Sequence, residues 1–214
     1  MSLQGITIRT IRFCNGKQYA DIRHQISRLL YDVYIKEQKW KFEPNNPSGL
    51  RVVENNQLVD NIDDSAIWIV AMKDNQSVVG CSRLVDKELI GGQHEAQLYL
   101  PKDSRSWKTI DSMHPCVEGS RLALSLPYRR SLIGTVIMQQ TLAYVHNALP
   151  GYGAFTCTSD PAMQKAYERL GIVRVGEPFR YSKNDPLPVN IYWCSPQILT
   201  TAMDHALHKI NQGN

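Results

Sequence analysis

The chain has 214 residues, 43% hydrophobic and 21% charged, a balance that excludes global disorder and suffices for one core of ordinary size. Its 24 basic and 20 acidic residues leave a net charge of +4, which permits an anionic ligand but lacks the basic block of a nucleic-acid surface. No apolar run approaches a membrane span, residues 1–12 hold no apolar core of a signal peptide, and Cys14, Cys81, Cys116, Cys157 and Cys194 form neither CxxC nor zinc spacing, so a reduced, cytoplasmic protein without a metal is expected.

Residues 5–13 alternate Ile6, Ile8, Ile11 and Phe13 with polar residues and predict a strand. Residues 17–38 change period: Ile22, Ile26, Leu29, Leu30, Val33 and Tyr34 form the stripe of an amphipathic helix. Residues 43–64, with Pro44, Pro47 and several Asn, read as a long loop. Residues 66–72 and 77–85 predict two strands joined by a hairpin turn at Asp74-Asn75-Gln76. Residues 86–113 read as irregular, and 116–125 as a further strand. A basic loop at 127–131 leads into a helix over 131–149 that Pro150-Gly151 ends. After a strand at 154–158, Asp160 caps a helix that starts at Pro161 and stops at Gly171. Strands at 172–175 and 189–194 and a helix from Pro196 to about Ile210 complete a single α/β domain, 1–214, with a mixed sheet.

A strand that enters a short basic loop and then a helix is a generic anion site, because the first helical turn leaves N–H groups without intrahelical partners. Here the loop is Tyr128-Arg129-Arg130-Ser131-Leu132-Ile133-Gly134-Thr135, with a glycine in the first turn. A solvated basic loop whose glycine serves packing is the alternative.

This segment resembles the pyrophosphate loop of the GCN5-related N-acetyltransferase (GNAT) superfamily, Arg/Gln-x-x-Gly-x-Gly/Ala. Arg129 stands at the first position and Gly134 at the last, while Leu132 replaces the middle glycine. Residues 160–172 resemble the downstream Asn-x-x-Ala-x-x-x-Tyr-x-x-x-Gly-Phe segment, with Asp160 for Asn and Ile172 for Phe. The resemblance implies a GNAT-like fold, a mixed central β-sheet flanked by helices. It implies an acyl-CoA or acetyl-CoA donor held at Leu122, Ala123, Leu124 and Arg129 to Thr135, namely Arg129, Arg130, Ser131, Leu132, Ile133, Gly134 and Thr135. Tyr167 would be the acid that protonates the leaving thiolate; packing on the sheet is its alternative role.

The first half resembles the autoinducer (acyl-homoserine lactone) synthases and N-acyl amino acid synthases. The matching residues are Tyr34 six before Trp40, Gly80-Cys-Ser-Arg83-Leu84, and Glu118-Gly-Ser-Arg121. Val85-Asp86 replaces the usual Pro-Thr, Leu30 an expected Arg, and Glu54 and Asp60 lie near where that family carries paired Asp. Glu118 and Arg121, three apart on a strand, face opposite sides unless a bulge intervenes. Glu118 is then a candidate base, and Tyr34, Trp40, Arg83 and Arg121 are candidate substrate contacts, Arg83 for an acceptor carboxylate. An ion pair among Glu118, Arg83 and Arg121 is the structural alternative.

The expected activity is acyl transfer from a pantetheine thioester, CoA or acyl carrier protein, to the amine of a small acceptor, with an amino acid derivative as the candidate that Arg83 suggests. An acyl-homoserine-lactone synthase proper and a non-catalytic acyl-CoA-binding module are the competing readings. The expected partners are the amine acceptor and, as open alternatives, an acyl carrier protein and a second copy in a homodimer.

Overall fold

The computed structural model describes residues 4–13 and 19–201. The start of the predicted first helix and the end of the predicted last one, with Cys14, lie outside these residues; residues 196–201 are helical.

Seven strands form one mixed sheet in the order β1 (Ile6–Arg12), β4 (Ile67–Lys73), β5 (Ser77–Asp86), β6 (Cys116–Leu124), β7 (Gly153–Thr158), β9 (Val189–Cys194) and β8 (Val173–Phe179). All neighbours are antiparallel except β6 and β7. β4, apolar from Ile67 to Met72, is buried on both faces, which explains its unbroken run of hydrophobics. The turn to β5 uses Asp74 and Asn75 at φ 49° and 58°, a conformation that Asp and Asn tolerate better than most residues.

Helix α1 (Ala20–Leu30) lays Ile22, Ile26, Leu29 and Leu30 on one face of the sheet, against Trp68, Val70, Cys81, Val85 and Ala123. Each such side chain contributes on the order of 2 kcal/mol. The helix continues through a π-helical stretch, Tyr31–Glu37, and Lys39 (φ 58°) turns the chain away two residues later. On the opposite face, α4 (Ile133–Ala148) packs Ile133, Ile137 and Val145, and Tyr167 of α5 (Pro161–Arg169) packs against the same sheet. Asp160 caps α5 by accepting from the Ala162 N–H at 2.8 Å, with Pro161 in the first turn, as its sequence indicates.

Two segments differ from expectation. The loop at 43–64 contains a hairpin, β2 (Arg51–Val53) and β3 (Gln57–Val59), which packs on α1 through Leu58. Its strands are three residues long, too short for periodicity to register. The stretch at 86–113 contains α2 (Glu95–Leu98) and α3 (Arg105–Ser112), the latter capped by the Ser104 hydroxyl. Their exteriors are polar, so the sequence shows no apolar stripe of useful length.

Candidate active site

The parallel ladder between β6 and β7 has four rungs, Cys116–Gly153 to Gly119–Thr156, and stops there. β7 continues beside β9 to the Thr158–Asn190 pair, whereas β6 stays with β5 as far as Leu124–Gly80. The two strands therefore part after Gly119 and Thr156. The cause lies in β6: its register against β5 shifts between Cys81 and Arg83, and Arg121 adopts φ 55°. This is a β-bulge, which turns Ser120 and Arg121 to the same face. Ser120 accepts from Arg83 Nε at 3.0 Å, and Arg121 reaches Asp60 and Glu95 on that face. Glu118 and Arg121 share a face for this reason.

The face carries a buried ionic cluster. Arg83 is completely buried, and its Nη1 donates to Asp60 Oδ1 and Oδ2 at 2.9 and 2.8 Å and to Asp63 Oδ1 at 2.6 Å. Its Nη2 donates to Glu95 Oε2. Arg121 Nη2 donates to Asp60 Oδ2 at 2.8 Å and to Glu95 Oε1 at 3.0 Å. The fourth carboxylate, Glu118, faces the Ala96 N–H, with Oε1 and Oε2 at 3.2 and 3.1 Å.

Three carboxyl groups thus share two guanidiniums while Glu118 has only backbone N–H contact, and the four divide the charge unequally. Burial would raise Asp60, but Arg83 and then Arg121 outweigh it and hold Asp60 well below the usual carboxylate range. Burial raises Asp63 to about 6 against the pull of Arg83, with Asp60 adding repulsion. Burial raises Glu118 to about 8, aided by Glu95, while the Ala96 N–H opposes it. Glu118 therefore sits close to the pH at which a base can take and return a proton.

The sequence expectations fare differently at Arg83 and in the acidic loop. Arg83 was expected to take an acceptor carboxylate; its Nε, Nη1 and Nη2 all donate inside the fold, so it lies behind the site and offers no surface to an acceptor. Glu54 is exposed beside the hairpin turn, and the acid that accompanies Asp60 is Asp63. Glu95 was missed because an acid in a polar stretch carries no local signal; only the tertiary fold buries it.

Tyr34 is buried and donates from its hydroxyl to the Leu122 carbonyl at 3.0 Å, next to the bulge. Trp40 stacks on it at 4.2 Å between ring centroids. Tyr167 lies on the other face of the sheet. Its ring meets Tyr192 at 5.5 Å and its hydroxyl contacts the Thr156 side chain, at the last rung before the strands part. Burial pushes its phenol up to about 12, so it keeps its proton at neutral pH. Glu118 and Tyr167, 49 positions apart in the chain, thus lie on opposite faces of the sheet beside the last rungs of the β6–β7 ladder, Glu118 fully buried and Tyr167 partly so.

The loop after β6 makes a 3-10 turn, Leu126–Tyr128, before α4. The Ser131 hydroxyl accepts from the Ile133 N–H at 3.3 Å, and the first intrahelical bond runs from Val136 N to Leu132 O at 2.9 Å. The N–H groups of Gly134 and Thr135 fall in the first turn between them. A Cβ on Gly134 would lie 2.9 Å from Leu124 Cδ1, so this glycine also lets α4 close onto β6. Ser125 N donates to Val79 O and Ala123 pairs with Cys81, so by strand alternation the Leu124 N–H faces away from β5, toward the opening. The Ile133 side chain is core, while Arg130 and Leu132 are exposed. Arg129 Nη2 pairs with Glu37 and its Nε donates to Leu124 O at 3.0 Å, tying the π-helical stretch to the loop.

The fold also joins Cys116 Sγ to His94 Nε2 at 3.3 Å, a pair that sequence spacing did not suggest. Burial lifts the thiol to about 12 and lowers the imidazole to about 4, so both stay neutral and form no nucleophilic dyad. An open cavity of about 460 Å³, lined by His114, Val175 and Trp193 among others, lies at the other end of β6 and β7 and shares no residue with the cluster.

No protein-family model matches the sequence, and no curated protein matches it. Solved structures do match. A CoA-dependent acyl-homoserine lactone synthase, BjaI, described with SAM and isopentyl-CoA, superposes with a TM-score of 0.63 at 18% identity over 94% of this chain and 89% of its own. An acyl-CoA N-acyltransferase from Pseudomonas aeruginosa gives 0.60 at 16% over 89% and 99%. FeeM, an N-acyl amino acid synthase from uncultured soil microbes, gives 0.59 at 12% over 92% and 94%. A mixed seven-stranded sheet flanked by helices, with this likeness along nearly its whole length, is a GNAT-like fold resembling that of acyl-homoserine lactone and N-acyl amino acid synthases.

Proposed function

We propose that the chain is an N-acyltransferase that moves an acyl group from a coenzyme A thioester to the amine of a small cationic acceptor. The observation that supports this reading is the parting of β6 and β7 after Gly119 and Thr156, with Glu118 one rung before it on one face and Tyr167, in contact with Thr156, on the other. An extended thioester arm can bond to strand backbone exposed where a ladder ends, and the Leu124 N–H is one such group. The first turn of α4 and exposed Arg130 suit a diphosphate.

The acceptor amine, protonated in water, must lose a proton before it attacks. Glu118 takes that proton and passes it to solvent, and the neutral nitrogen then bonds to the thioester carbon. Collapse of the tetrahedral intermediate breaks the C–S bond: Tyr167 gives its proton to the departing sulfur, the nitrogen sheds its second proton as the amide forms, and that proton restores the phenol through solvent. No covalent enzyme intermediate is needed. Asp60, Asp63 and Glu95 outnumber the two guanidiniums even while Glu118 keeps its proton, so the face is acidic, which favours an acceptor recognised through its ammonium rather than through a carboxylate on Arg83.

The likeness to CoA-dependent synthases favours CoA over a carrier protein as donor. Calorimetric titration with CoA tests the loop: Gly134→Glu should abolish binding while circular dichroism shows an intact fold. Undiminished affinity in a folded variant would remove the loop from the site.

A further inference from the structure

Leu126, Leu132 and Leu187, exposed by 68%, 61% and 56%, are the most exposed large hydrophobic side chains among the described residues. All three lie at one end of the sheet. Leu126 follows the end of β6 by two residues, and Leu132 closes the same loop. Leu187 precedes β9 by two residues, and β9 starts beside the end of β7 through the Asn190–Thr158 pair. Trp40, exposed by 43%, joins them through its stack on Tyr34, which is bonded to Leu122. Leu126 precedes Pro127, and Leu187 lies between Pro186 and Pro188, so proline restricts the backbone at both tips.

Exposed cations surround these tips: Lys39, Lys41, Arg129, Arg130, Arg180 and Lys183. Lys39, Lys41, Arg130 and Lys183 enter no ion pair among the described residues. Against these six cations stand Glu37, Glu43, Asp160 and Asp185, of which an ion pair among the described residues offsets only Glu37, and the balance stays basic. Glu37 pairs with Arg129, Glu43 accepts from Asn184, Asp160 caps α5, and Asp185 accepts from the Ser182 N–H. The result is a set of separate apolar tips within a basic collar, on the end of the sheet where the thioester opening emerges.

We infer that this end of the molecule seats on an anionic lipid bilayer, with Leu126, Leu187 and Trp40 entering the headgroup layer and Lys39, Lys41, Arg180 and Lys183 facing lipid phosphates, while Arg130 and the first turn of α4 stay with the donor. A peripheral protein needs both contributions, since neither a few leucines nor a few cations alone holds it. Single tips on separate loops suit a fluid surface better than the groove that a partner helix would need. The arrangement would let an acyl product pass from the opening into lipid. That consequence rests on the proposed acyl transfer, whereas the docking itself does not.

The test is sedimentation of the full chain with phosphatidylcholine vesicles, with and without about one third phosphatidylserine, at low and high salt. The expected result is association with the anionic vesicles alone, lost at high salt. Leu126→Ser/Leu187→Ser and Lys41→Glu/Lys183→Glu should each weaken it about tenfold or more. Leu170→Ser/Val173→Ser, at exposed apolar residues on other elements, should leave it unchanged, with circular dichroism confirming each fold. Association with neutral vesicles to the same extent, no association, an equal loss in the Leu170/Val173 control, or capture by acyl carrier protein without vesicle association would overturn the inference. Vesicle association is read without turnover, so its failure and failure of the acyltransferase reading are separable.

Discussion

Removing the Asp60 charge should destabilise the fold far more than removing that of Asp63, although the two acids lie three residues apart on the same arginine. Asp60 accepts from Arg83 Nη1 and Arg121 Nη2 and from the N–H groups of Ile62 and Asp63. It is the acid that the guanidiniums hold ionised. Asp60→Asn leaves part of two buried cations uncompensated, a loss of about 3–5 kcal/mol. For a chain of this length that corresponds to a fall in Tm of roughly 6–20 °C. Asp63 meets one guanidinium, accepts one backbone N–H, and is already raised to about 6 by burial. Asp63→Asn should therefore cost about 1–2 kcal/mol, mainly from one lost acceptor. Urea unfolding at pH 7, followed by tryptophan fluorescence, reads the difference. Equal losses, or a greater loss at Asp63, would refute the unequal division of charge.

Tyr167→Phe should lower kcat about 10- to 1000-fold with little change in donor affinity, because the phenol matters when the thiolate leaves; an unaltered kcat across pH would remove it as the acid. Glu37→Gln frees Arg129 and should tighten CoA binding by up to about fivefold, the scale of a half-exposed ion pair; weaker binding in calorimetry would place Glu37 with the ligand rather than against it. Glu118 also makes a stability prediction. Its folded-state value of about 8 exceeds its ordinary 4.5, so the folded chain keeps a proton that the unfolded chain has lost, and stability falls as pH rises from about 4.5 to 8. Glu118→Gln should remove that slope, so its Tm advantage over wild type should widen by several degrees between pH 5 and 8; parallel Tm curves would contradict it.

The order of most elements and the α5 cap are legible because apolar period and cap chemistry are local. The candidate site is legible only in part. Glu118, Arg121 and Tyr167 stand out through the family motifs they resemble, but a motif cannot show that Arg121 takes φ 55° and so joins Glu118 on one face. The nearby Gly119 would be the easier residue for such a conformation. Arg83 stands out equally, yet its role depends on Asp63 and Glu95. Asp63 has one sequence cue, its place three residues after Asp60 just before an apolar strand; the cue gains meaning only once two arginines are known to face it.

The most direct measurement of the central claim is thiol release from acyl-CoA in the presence of a panel of small amines, for wild type and Glu118→Gln. The account predicts release that depends on the amine, rises with pH toward about 8, and falls about 100-fold or more in kcat in Glu118→Gln. Amine-independent release, no release with any amine, or a wild-type rate in Glu118→Gln would contradict it.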